Sequence, residues 1–129
     1  MNDELETLLA NVSRREPASA DALARLPTEL GIPLPDDYVA FMKFSNGGEG
    51  EVGSAWIQIW PVERVGDDPE ASPPYEGVVL FAGDGGNTVY GFDRFRDGEI
   101  VEGDWIGLNR DELIRHGKTL TELLRNISG

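Results

Sequence analysis

The chain has 129 residues, the length of one ordinary domain, and is 40% hydrophobic, enough to close a core rather than remain an acidic coil. Eleven basic residues against 24 acidic ones leave a formal charge of -13, which argues against direct nucleic-acid binding, because phosphate neutralisation needs clustered Lys and Arg. There is no cysteine, so disulfides and thiolate catalysis are excluded.

The opening "MNDELETLL" is acidic and has no long apolar run, so neither a signal peptide nor a membrane span is expected, and the cytoplasm is the simplest compartment. Leu5, Leu8, Leu9 and Val12 fall on one face of a short helix, with Asp3 and Glu6 as its capping pair. A second helical stretch lies near 20–30, where Pro27 must break it or begin its last turn. "GIPLP" forces an extended connection. The next helix starts at Pro35, with Asp36 and Asp37 at the positive end of its dipole, and gathers Tyr38, Phe41, Met42 and Ser45 on one face. Asn46-Gly47-Gly48 stops it.

After Gly53 the period changes to two. "AWIQIW" alternates, with Ile57 and Ile59 on one side and Trp56, Gln58 and Trp60 on the other. "PVERV" reads as a brief helical turn, and "GDDPEASPPYE" as a proline-rich acidic loop. "VVLFA" is a continuous apolar run between glycines, the pattern of a central strand buried on both faces. "TVYGFD" alternates again, and Asp97-Gly98 signals a hairpin between "FDRFR" and "EIV". A last strand is expected around Trp105 and Ile106. Two closing helices are then expected, one from Asn109 with Glu112 to a stop at Gly117, the other opened by Thr119 with Glu122. The order of helices, strands and helices predicts an α+β fold: a single compact domain over 1–129, with a mixed or mainly antiparallel sheet packed against N-terminal and C-terminal helices.

"FAGDGGNTVYGFD" poses the main chemical question, because a glycine-rich loop after a strand can cradle phosphate. Its second half, "TVYGFD", is a strand sequence rather than the start of a helix. There is no P-loop lysine, the spacing is not GxGxxG, and Asp84 would repel the anion. The segment reads as a hairpin turn. Asp67, Asp68, Glu70 and Asp84 have no EF-hand spacing, and His116 is the sole histidine, so no metal site is expected. His116 near a helix end is expected to interact with the dipole, and no carboxylate pair stands out for acid–base work. The reading is of a protein that is not an enzyme and takes no cofactor. If Trp56 and Trp60 lie on an open face of the sheet, exposed rings among carboxylates make a protein-binding patch.

"LGIPLPDDYVAFMKFSNGG" resembles the signature of the SUKH superfamily, which includes the yeast Smi/Knr-type cell-wall-assembly regulators. The matching positions are Leu30-Gly31, Leu34-Pro35, Asp37-Tyr38, Phe41 and Asn46-Gly47-Gly48. "WPVERV", "FAGDGGNTVYGFD" and "KTLTELLRNI" resemble the family's turn, hairpin and closing helix in order, so the resemblance covers nearly the whole chain. Asn87 stands where a further glycine is frequent, and Pro27 falls in a helix that is usually continuous. The resemblance implies an α+β domain without enzymatic activity. It further implies an immunity protein of a bacterial polymorphic toxin system, binding and neutralising a cognate toxin, foremost a basic nuclease. Its alternative is a housekeeping scaffold or regulator like the yeast relatives. The expected partner is thus a protein, with no direct nucleic acid and no membrane. An acidic binder gains steering toward a basic partner. The candidate contacts are Glu49, Glu51, the loop carboxylates Asp67, Asp68 and Glu70, the turn residue Asp84, and the aromatic anchors Trp56 or Trp60.

Overall fold

The computed structural model describes residues 2–65 and 77–129 (for Leu30, the backbone alone). The chain runs α1 Asp3–Leu8, β1 Asn11–Val12, α2 Ala20–Leu30, α3 Asp36–Phe44, β2 Gly48–Val52, β3 Ala55–Ile59, β4 Val78–Gly83, β5 Thr88–Asp93, β6 Glu99–Asp104, β7 Ile114–Gly117 and α4 Leu120–Ile127. Short 3-10 turns occupy Val62–Arg64, Arg94–Arg96 and Arg110–Glu112. The seven strands of the described residues lie side by side in sequence order, each antiparallel to the next. The fold is α+β, as its pattern of elements predicts, with an antiparallel rather than a mixed sheet.

Both faces of the sheet carry a core. On the first, Ile57, Ile59, Phe81, Tyr90, Phe92 and Ile100 pack against Leu5 of α1, Leu23 and Leu26 of α2, Tyr38, Phe41 and Met42 of α3, and Leu120, Leu123 and Leu124 of α4. Tyr38 sits at its centre, edge-on to Phe81 and Phe92, whose rings stack 4.2 Å apart. On the second face Trp60, Val78, Leu80, Val89 and Val101 are covered by Trp105, Leu108 and Leu113 of the β6–β7 connection. Gly103 makes room for that connection: a side chain there would press into Leu108 and Leu113. Arg110 fastens it, its Nη2 standing 2.8 Å from the fully buried carboxylate of Asp93. β4, fourth of the seven strands, is buried along its whole length, as "VVLFA" predicts.

The family-like motif is mostly structural. The Asp37 carboxylate accepts from the backbone N–H groups of Leu120 and Thr121 at 2.9 and 2.7 Å and from the Thr121 hydroxyl at 2.7 Å, so α3 caps the start of α4. The Asn46 side chain accepts from Val62 N–H and donates to Glu63, which fixes the turn after β3. Gly47 is left-handed at φ 83°, and a Cβ there would overlap the Ile59 carbonyl oxygen. Pro27 begins the last turn of α2, which runs unbroken to Leu30 and ends on left-handed Gly31.

Three local expectations are corrected, and one strand appears that none foresaw. α1 stops at Leu8 and is capped by Asn2 rather than Asp3. Val12 therefore belongs to β1, although it is still buried with Leu5 and Leu9. The Asn-Gly-Gly stop ends α3 as expected, and strand β2, which no sequence pattern signalled, begins within it at Gly48. β6 ends at Asp104, and Trp105 and Ile106 form a turn in place of the last strand. The helix expected from Asn109 to Gly117 is a single 3-10 turn, capped by Asn109, and then strand β7. His116 therefore lies in a strand and not at a helix end. Its Nε2 is 2.8 Å from Glu102 Oε1 and its Nδ1 is 3.1 Å from the Asn126 amide, joining β6, β7 and α4. Tertiary partners on β6 outweigh the helical spacing of a short segment.

Candidate partner-binding face

The β6–β7 connection covers only part of the second sheet face. Glu49 and Glu51 of β2 and Trp56 and Gln58 of β3 share the other part. Glu51 is paired directly with Trp56 and Glu49 with Gln58, and directly opposed residues point to the same side. Trp56 is 44% exposed, although it lies inside a regular strand. Beside it runs a shallow groove of about 450 Å³, walled by residues 10–13 on one side and by Glu49, Gly50, Glu51 and Trp56 on the other. Gly50 permits that geometry: a Cβ on it would overlap the carbonyl oxygen of Asn11.

The β4–β5 turn borders the same face. The Asp84 carboxylate accepts from the N–H groups of Gly86 at 2.8 Å and Thr88 at 3.3 Å, so its first task is to close its own turn. Left-handed Gly85 then comes close to Gln58 and the Trp56 indole. Asn87, in place of the frequent glycine, ties this turn to the next. Its carbonyl accepts from Trp105 N–H at 2.6 Å and its side chain from Ile106 N–H at 2.9 Å. The result is "GDGGNT" as a hairpin turn, flanked by Ile106 at 84% exposure.

Four of the sequence-derived candidates, Glu49, Glu51, Trp56 and Asp84, therefore meet at one region. Trp60 does not join them as an exposed anchor. It lies on the expected side of the sheet, but Trp105 packs on it at 5.5 Å between centroids, Arg64 lies 4.0 Å over its ring, and only 3% of it is exposed. Strand alternation gives the face of a side chain but not what covers that face. Asp67, Asp68 and Glu70 fall outside the described residues. Gln58 completes the region on the side that alternation gives it, and Asn11, Ser13 and Ile106 complete it without any sequence signal for a binding role. A two-residue strand has no period, and a lone isoleucine before a glycine looks like any other turn.

Among the described residues no group of three or more His, Asp or Glu side chains is placed to hold a metal ion, and no helix is long and apolar enough to cross a membrane. The fold and the ordered motifs agree with a wider comparison: the profile of the SMI1 / KNR4 family (SUKH-1) matches residues 17–126. The chain belongs to this family. No curated protein matches it. In this SUKH-1 member the family-like residues Asp37, Asn46 and Gly47 build the frame, and the groove beside Trp56 lies among residues outside that motif.

Proposed function

We propose that the protein is a non-catalytic, cytoplasmic immunity-type inhibitor that binds a basic toxin domain, foremost a nuclease, and blocks its active site or a neighbouring surface. The observation that carries this reading is the part of the sheet face that the described residues leave uncovered, where a half-exposed Trp56 stands between Glu49, Glu51 and the Asp84 turn. A large exposed ring among carboxylates is useful at an interface, where aromatic anchors supply affinity and charge supplies speed. The excess of 24 acidic over 11 basic residues extends that field over the whole molecule. Family membership supports an immunity-type or Smi-like role, and the charge favours the first.

The test is stopped-flow association with the purified toxin domain encoded by the adjacent gene, at about 50 mM and about 0.5 M salt. A stoichiometric complex that silences the toxin is expected, with an association rate falling at least about tenfold over that range. Absence of a complex, or an association rate indifferent to salt, would sink the reading.

A further inference from the structure

We propose that Trp56, with Glu51 and Glu49 beside it, is a receptor for an arginine side chain presented by the basic protein that docks on this face. The inference deepens the immunity reading and rests on it. Its starting point is a pattern that the chain uses repeatedly within itself. Arg64 stacks 4.0 Å over Trp60, and Arg14 lies 4.6 Å over Phe44. Arg110 combines both halves of the motif, lying 4.7 Å over Phe95 while its Nη2 is 2.8 Å from the Asp93 carboxylate. Ring, guanidinium and carboxylate together form a favourable unit, because the ring attracts the cation's flat face and the carboxylate accepts from its N–H edge.

Trp56 has the ring and the carboxylates of that unit but no described cation over it. Glu51 stands directly across from it in the β2–β3 register, and Glu49 is the diagonal neighbour, distances of about 5 and about 7–8 Å between such positions, which long side chains span. Among the described residues, none that lines the adjoining groove is basic. Gly85 leaves the indole clear of a turn side chain on its flank. A guanidinium entering the groove can lie on the indole and turn its fork toward Glu51. An ammonium has no flat face to stack, is more strongly hydrated and makes no bidentate pair, so the site selects Arg over Lys. A second copy of this chain is a poor occupant, since each copy carries a formal charge of -13.

The test needs no toxin, so its failure is separable from failure of the immunity reading, which rests on the whole complex. Acetylated tri-arginine and tri-lysine amides are titrated at low salt into the full chain, following the indole N–H resonance that disappears in Trp56→Phe. The arginine peptide is expected to move the Trp56 signal saturably and to bind about two- to fivefold tighter than the lysine peptide, the size of an exposed cation–π contact. In the Trp56 variants, which lack that resonance, binding is followed by the backbone amide shifts of Gly50 and Glu51; Trp56→Ala should abolish the preference and Trp56→Phe retain part of it. Glu49→Gln with Glu51→Gln should weaken both peptides more than Asp21→Asn with Glu112→Gln, which removes the same charge elsewhere. The Trp60 and Trp105 resonances report that each variant is folded. Equal affinity for the two peptides, or an arginine preference that survives Trp56→Ala, overturns the proposal.

Discussion

Two tyrosines buried in the helix-covered core make the fold sensitive to alkali. Burial raises the Tyr90 hydroxyl from 10.0 to about 12, helped by the negative charges of Glu102 and Asp84, which oppose a phenolate nearby. Burial pushes Tyr38 higher still, and its hydroxyl has no hydrogen-bond partner among the described residues. A group whose folded value lies above its unfolded value contributes stability that is complete below the unfolded value and is lost as pH rises through the folded one. The urea midpoint is therefore expected to hold to about pH 10 and to fall steeply toward pH 12. Tyr90→Phe should flatten part of that fall while leaving the midpoint at neutral pH nearly unchanged. Equal alkaline slopes for the variant and the parent would show that Tyr90 is not what the folded state protects.

At the scale of elements, the edge of the sheet depends on one missing side chain. β1 is only two residues long, and it is held by pairing with Gly50 and Glu51 and by Ser13 N–H donating to the Glu49 carbonyl at 2.8 Å. Gly50→Ala puts a methyl group into the Asn11 carbonyl oxygen. Such overpacking costs about 1–3 kcal/mol. The expected result is a loss of that size in chemical denaturation, with faster amide exchange at Ser13 than in β4 or β5. Unchanged exchange at Ser13 would mean that the edge strand has room to spare. This pair of strands is also the least legible from sequence. "VVLFA", "PVERV", "GDGGNT" and the Thr119-capped helix announce themselves through local composition, because burial on both faces, proline placement, turn glycines and capping are local effects. "GEGEV" does not: glycines and glutamates oppose a strand, and only the close approach of residues 11–13 explains them. β7 escapes a local reading for a related reason, its His116 being placed by Glu102 and Asn126 from distant elements. The site is half legible. Alternation puts Trp56 and Trp60 on the same face, but the Trp105 that hides one and spares the other arrives from the distant β6–β7 connection. Asp37, which reads as a helix-start acid of α3, serves the start of α4 instead.

For the whole molecule, the excess of carboxylates that suits a basic partner works against the free protein. With 24 acidic and 11 basic side chains, like charges crowd a small surface, and folding brings them closer than the open chain does. The exposed ion pairs offset little of this. Arg25 with Glu29 and Arg125 with Glu4 join solvated side chains, and such pairs contribute weakly. The Glu4–Arg125 bond holds the Glu4 carboxyl below its usual range, but it ties only α1 to α4. Salt acts on both terms in opposite directions: it screens the few attractions and the many repulsions, with a screening length of about 10 Å at 0.1 M. Because repulsion dominates the sum, the thermal midpoint of the free protein should rise between about 20 mM and about 0.5 M sodium chloride, by about 3–5 °C if roughly 1 kcal/mol of repulsion is screened. Over the same range its association with a basic partner should slow, so that salt stabilises the free chain while weakening its capture of the partner. A midpoint that falls with salt would mean that the surface charges are already balanced locally, and the long-range attraction inferred for the partner would lose its source.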